Sequence, residues 1–367
     1  MVDTMSPLHA LIRTLRMIRH TPQLAVGLTP DDEILLDAPD SRTAPALVAA
    51  GRGEYEPAAK LLATTREHAE WEARDRCTAL LAAFARLRPE WFELWQEASP
   101  HDPDVLLVKA ELAVQRGWES PARAELLREV TPLIAAAADG DRRDPVPWRV
   151  ALDHARGTNA PHTAFELLWE QAVRRASHHY GCHVAALRYL SAAWYGSHRE
   201  CFDFAERAAD DTPADSLVQA LPVRAALAYL TEDASSTLPD TAPGQVGAVS
   251  PLGAERSTTA EPGSVERPRL DAAADRAIRL SGQYAAADAW PAQVRNILVY
   301  VLVRLERWDD ALAQLRVLGP HATSFPWDRI SDDPLAQFLE LRDGIRLEIA
   351  ARAPLWSPRG RLRPKDH

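Results

Sequence analysis

Apolar residues recur every three or four positions along almost the whole chain, and alternating β-branched runs are nearly absent. That period belongs to helices with one buried stripe, so the pattern predicts an all-α protein. The stretch VKAELAVQRGWESPARAELL shows how the stripes are interrupted. Leu106, Leu107, Ala110 and Val114 form one stripe, and Gly117 is expected to end that helix in the left-handed conformation that glycine adopts cheaply. Ser120 is expected to cap a second helix, with Pro121 at its first position and Ala124, Leu127 and Val130 as its stripe. Two helices joined in this way predict an antiparallel hairpin.

The same punctuation recurs. GRGEYEPAAKLL leads into a helix starting near Pro57, and a helix through Cys77–Arg86 meets another at Pro89–Gln96. Further turns are expected at Gly157–Pro161, at Gly196 and near Trp308. About seven such units, spaced near the 34–40 residues of tetratricopeptide-type repeats, predict helices that bury their faces by stacking on neighbours. RWDDALAQLRVLG resembles the second helix of a tetratricopeptide (TPR) unit, with Trp308 after the turn and Ala311 at the small packing position. GRGEYEPAAKLL resembles the same element through Gly53, Tyr55 and Ala58. First-helix signatures of that repeat are missing and unit lengths drift, so the resemblance is to a TPR-like protein. The blocks 146–230 and 290–345, with WYGSHRECFDFA and LGPHATSFPW, are similar to TPR-like proteins of a domain-of-unknown-function type from actinobacteria. The resemblance implies an all-α, right-handed TPR-like superhelix of about seven hairpins, and it brings no activity with it.

One segment breaks the pattern. Residues 231–268 have no aromatic residue and are dense in Pro, Gly, Ser and Thr. They cannot bury enough apolar surface to offset the ordering entropy, which predicts a disordered insert. The expected organisation is an N-terminal helix and arm over 1–40, helical repeats over 41–230, the insert, further repeats over 269–353, and a basic tail over 354–367.

The net charge of −10 argues against a general nucleic-acid binder, which needs a basic face. Arg13, Arg16 and Arg19, and Arg359, Arg361, Arg363 and Lys365, read as solvated ends. Cys77, Cys182 and Cys201 form no CxxC, so a reducing cytoplasm is expected. The longest apolar run, Ile297 to Val303, is far below the roughly 20 residues that span a bilayer, so no membrane partner is expected.

Candidate chemistry gathers in HHYGCH, where His178, His179, Cys182 and His183 fall close together, with His198 and Cys201 following. His179 and His183 share a face only if one helix runs through both, and no acidic residue completes a zinc motif. The reading preferred from punctuation has a helix from Thr163 to His179, with Gly181 as its left-handed cap and His183 opening the next helix. On any regular helix Cys182 would also point roughly away from His179. Ser197 with Glu200 three residues later reads as a capping box rather than as a nucleophile. The eleven tryptophans read as packing between repeats, with indole N–H groups reaching carbonyls at turns.

These patterns lead to a non-enzymatic scaffold that binds a protein or peptide in a concave groove, with no metal and no cofactor. The candidate contact residues are His179, His183, Arg188, Trp194, Tyr195 and His198. The alternative is an enzyme or small-molecule-binding protein with a pocket near Tyr180–His198. It requires His179, His183, His198 and a carboxylate such as Glu170 or Glu200 to converge.

Overall fold

The computed structural model describes residues 23–236 and 265–352, with only the backbone of 232–236. The expected N-terminal helix, the central part of the insert (237–264) and the basic tail lie outside the described residues. The chain divides into two compact units, Pro39–Leu280 and a second that joins the segment ending at Ala38 to the segment from Ser281.

Among the described residues the larger unit is built from helices and the turns between them. Its helices are α1 (Ala44–Ala50), α2 (Glu56–Glu67), α3 (Trp71–Leu87), α4 (Glu90–Ala98) and α5 (Pro103–Glu119). They continue with α6 (Arg123–Arg128), α7 (Thr131–Gly140), α8 (Val146–Gly157), α9 (His162–Arg175) and α10 (Tyr180–Tyr189). The series ends with α11 (His198–Asp210), α12 (Leu221–Ser236) and α13 (Arg267–Ser281), so helix replaces both edges of the expected insert. Helices pack on sequence neighbours and on the next but one: α3 on α5, α5 on α7, α8 on α9 and α10, α10 on α11 and α12. Three apolar clusters follow this order. They centre on Leu62, Leu81 and Trp91, on Leu107, Leu127 and Val150, and on Leu152, Phe165 and Cys182.

Punctuation was a mixed guide. Gly53 (φ 87°) occupies the left-handed turn before α2, where an L side chain is strained. Gly117 instead lies inside α5, and a Cβ there would sit 2.6 Å from Leu127 Cδ2. Gly157, at the end of α8, would place its own Cβ 2.3 Å from Leu127 Cδ1. Both glycines make room for one buried leucine. Ser120 Oγ accepts from Ala122 N, but the helix starts later, at Arg123, and breaks again before Thr131.

The tryptophans also depart from expectation. Trp327 donates to Asn296 Oδ1 at 2.9 Å, but the indole N–H groups of Trp91, Trp118, Trp148 and Trp308 meet no acceptor among the described residues. Several present a face to a guanidinium instead: Arg156 lies 4.0 Å from the Trp118 ring and Arg175 4.3 Å from Trp148.

In the smaller unit, β1 (Leu35–Leu36) pairs in parallel with β2 (His321–Ala322). Around them stand α14 (Ala292–Arg304), α15 (Trp308–Leu318), the single turn α16 (Ser324–Trp327) and α17 (Pro334–Arg352). This pairing, together with Arg342 donating to Thr29 O at 2.7 Å, ties residues 23–38 to the C-terminal helices. Helix α13 stays with the larger unit because Arg269 bonds Asp203 and Glu206, and Arg276 bonds Asp210, all on α11. Among the described residues no helix is long and apolar enough to cross a membrane.

Candidate functional site

Helix α9 stops at Arg175, earlier than its apolar pattern suggests, and His179 is the N-cap of α10. Its Nδ1 accepts from the Cys182 backbone N–H at 3.2 Å, satisfying one of the free donors of the first turn. The histidines therefore do not decorate a helix C-terminus, and Gly181 is no left-handed cap. Glycine is needed at 181 for space, because a Cβ would lie 2.0 Å from Asp75 Oδ2 and 3.1 Å from His179 Cε1. As a capping side chain His179 folds back over the first turn. Its Nδ1 thus meets Cys182 Sγ at 3.2 Å, the contact that a regular helix would have forbidden.

Buried charge fixes this helix start from outside. Glu72 on α3 accepts from Tyr180 N at 2.6 Å, and Asp75 stands 3.9 Å from His179 Nε2. Both carboxylates lie at the positive end of α10. Asp75 is held in turn by Arg149 of α8, whose Nε donates to it at 2.8 Å while Nη1 donates to Glu111 at 2.7 Å. Beside them Arg74, 1% exposed, bridges Asp104 and Asp144, each at 2.6 Å. Burial opposes a charge on His179, while the nearby Glu72 and Asp75 carboxylates favour one. Burial also pushes the Cys182 thiol up, which makes it a poor nucleophile.

The backbone carbonyl of His179 then sets the next histidine. His183 Nδ1 lies 2.9 Å from it, and since a carbonyl only accepts, Nδ1 carries the ring proton. Burial holds His183 down to about 4, so the ring is neutral near pH 7 and Nε2 keeps its lone pair. No hydrogen bond among the described residues uses that nitrogen. The ring is only 5% exposed, and it forms part of the wall of a cavity of about 530 Å³.

That half-open cavity lies among α9, α10 and α11. Trp169 and Val173 come from α9, Ser177 and His178 from the following turn, and His183 and Leu190 from α10 and its end. Helix α11 contributes one face, Glu200, Asp203, Phe204, Arg207 and Ala208, followed by Asp211 at its C-cap. It can do so because its opposite face, with Cys201, Phe202, Ala205 and Ala209, is buried. Three rings make the apolar corner: His183 is edge-on to Trp169 at 5.0 Å, and Phe204 is edge-on to Trp169 at 5.6 Å. The capping box starts α11 as expected, with Ser197 Oγ accepting from Glu200 N and donating to Glu200 Oε2 at 2.8 Å. Gly196 admits no Cβ because the Leu190 carbonyl would lie 2.2 Å away.

The six candidate contact residues are spread over several contacts, with His183 bonded to the His179 carbonyl and Trp194 6.4 Å from Tyr195. His179 is buried under α10, and His183 lines the cavity. Arg188 lies 3.9 Å from Asp153. Trp194 packs edge-on against Trp118 at 5.4 Å, and Tyr195 stacks on Tyr189 at 4.6 Å while donating to Asn159. His198 packs against Tyr229 at 5.1 Å. Glu200 lines the cavity with His183, whereas Glu170 pairs with Arg174 on α9. The convergence that catalysis requires is therefore limited to His183 and Glu200. Among the described residues no group of three or more His, Cys, Asp or Glu is placed to hold a metal ion. Trp169, Phe204 and Asp211 were not singled out as contact residues from sequence, although Glu200, Phe204, Arg207 and Asp211 recur at helical spacing on α11. No protein-family model, curated protein or solved structure matches the chain.

Proposed function

We propose that this chain is a TPR-like helical-repeat scaffold that holds a short segment of a protein or peptide partner in the groove among α9, α10 and α11. The observation that carries this reading is the composition of the groove. Trp169, Phe204 and Leu190 line it together with the charged Glu200, Asp203, Arg207 and Asp211, and a buried histidine in its wall has an acceptor that no hydrogen bond among the described residues uses. Aromatic anchors in a concave site with few polar groups are what peptide recognition uses. From Glu200 to Asp211 the α11 face runs roughly 16 Å, the length of about five extended residues. Packing of helices on their next-but-one neighbours supports the repeat architecture. The buried free thiols of Cys77, Cys182 and Cys201 fit a reducing, cytoplasmic setting.

Selection of a random peptide display library on the full chain, with counter-selection on Phe204→Ala, tests the proposal. Peptides held by the wild type and released by the variant are expected. Peptides held equally by both would place binding elsewhere.

A second reading is favoured by the cavity size, since about 530 Å³ lies within the range of small-molecule sites. In that reading His183 Nε2 accepts a hydrogen bond from a small ligand. Native mass spectrometry of purified protein separates the two, because a co-purifying small molecule lost in Phe204→Ala favours the second.

A further inference from the structure

The groove carries information about what enters it, and this step rests on the reading just proposed. We infer that the partner segment is anchored by an arginine side chain, laid on the Trp169–Phe204 corner and bonded to His183 Nε2, with the carboxylates of Glu200 and Asp211 at the two ends of the groove favouring its positive charge. Three observations lead there.

The first is charge. The ionisable groups around the groove are His178, His183, Glu200, Asp203, Arg207 and Asp211. Asp203 is neutralised by Arg269 at 2.5 Å, which holds its carboxyl below the usual range. Arg207 turns its Nε to the Asp203 backbone carbonyl at 2.9 Å. Glu200 and Asp211 have no basic partner among the described residues. Asp211 moreover stands at the C-cap of α11, beside free carbonyls, where the helix dipole favours a cation. A carboxylate placed against that local preference marks a position awaiting positive charge.

The second observation is the unused acceptor on a mostly buried ring. His183 is 5% exposed, its Nδ1–H is spent on His179, and its other nitrogen accepts only. A ligand that satisfies it must bring a donor past the aromatic rings. A guanidinium brings five donors on a flat surface that stacks on aromatic faces, whereas an ammonium is a compact and strongly hydrated charge.

The third is the same solution elsewhere on α11. Arg269 lies 5.0 Å above the Phe202 ring while bonding Glu206 at 2.8 Å and Asp203. The chain thus fills one aromatic-and-carboxylate corner of α11 with its own arginine and leaves the corner at Phe204 open.

Isothermal titration calorimetry of the full chain tests this, using the acetylated and amidated pentapeptide Ala-Leu-Arg-Leu-Ala. The comparison peptides replace Arg with Lys or with citrulline, its neutral isostere. The expected result is binding of the Arg peptide about tenfold tighter than the citrulline peptide, since charge-assisted hydrogen bonds are the stronger ones. Glu200→Gln keeps the capping box, and combined with Asp211→Asn it should bring the affinity for the Arg peptide close to that for the citrulline peptide on the same variant. Equal binding of Arg and citrulline peptides, both lost in Phe204→Ala, would overturn the arginine anchor and leave the groove standing. A Lys peptide binding as tightly as Arg would overturn the guanidinium assignment. Failure of all three peptides on well-folded protein would overturn the anchor and the groove together.

Discussion

Arg149 is the keystone of the charge network beneath the groove, and replacing it with methionine gives a sharp test of that network. Methionine keeps much of the stem volume and removes the charge. In the wild type one guanidinium serves Asp75 at 2.7 Å, Glu111 at 2.7 Å and Asp153 at 3.5 Å, and the residue is 7% exposed. Deleting one partner of a buried pair costs about 3–5 kcal/mol, because the other charge is left uncompensated. Here several carboxylates lose the same cation, so the upper part of that range is expected, about 4–5 kcal/mol. That is a large share of the roughly 5–15 kcal/mol by which domains are stable. Urea denaturation followed by circular dichroism measures it. The same experiment on Arg174→Ala, an exposed pair with Glu170, should show a change of no more than about 0.5 kcal/mol. The pH dependence has a definite sign. Against burial, Arg156, Arg188 and Arg149 together hold the Asp153 carboxyl below its usual range, so without Arg149 it titrates higher in the folded state and takes up a proton more readily. The gap between wild type and variant should therefore narrow from pH 7 to pH 5. Adding Asp75→Asn to the variant should recover part of the loss. A cost below about 1 kcal/mol, or a gap independent of pH, would refute the argument.

Other outcomes follow from single contacts. His183 has its pKa depressed from 6.5 to about 4 by burial, so the unfolded chain binds more protons between those values. Its contribution, up to roughly 3 kcal/mol, is full above pH 6.5 and is lost as pH falls through 4; His183→Phe should flatten that stretch of the stability–pH curve. Gly157→Ala gains about 1 kcal/mol of helix propensity but forces its Cβ onto Leu127 and Trp118, and thermal melts should show net destabilisation of about 1–2 kcal/mol. Ser197→Ala removes the cap of α11 and should cost about 1 kcal/mol by the same assay.

Much of the architecture could be read from the sequence because its punctuation is local. Pro57 at the start of α2, the turn between Gly157 and Pro161, and the Ser197–Glu200 box all act within a few residues. Glycine was where such reading failed. Gly117 and Gly181 looked like helix ends, yet each is glycine because a side chain distant in sequence needs the space: Leu127 for one, Asp75 for the other. Left-handed backbone and close approach leave the same letter in the sequence. The site divides the same way. His183 stood out as a candidate from composition alone. Its neighbours Trp169 and Phe204, and the Asp75–Arg149 pair that steadies α10, are brought together by packing between helices, and no local spacing records that. His179, Trp194, Tyr195 and His198 likewise meet neighbours that the sequence does not announce: Cys182, Trp118, Tyr189 and Tyr229. Consecutive turns of a helical stack face different neighbours, so closeness in sequence does not place side chains on one face.

The proposed partner segment lies along α11 against the corner formed by Trp169, His183 and Phe204. Hydrogen–deuterium exchange of the full chain, with and without a peptide selected on it, measures this most directly. Slowed exchange confined to residues 169–190 and 198–211 is the predicted result, and its loss in Phe204→Ala should accompany loss of binding. Protection centred instead on Trp118 and Trp194, or within residues 281–352, would contradict the account.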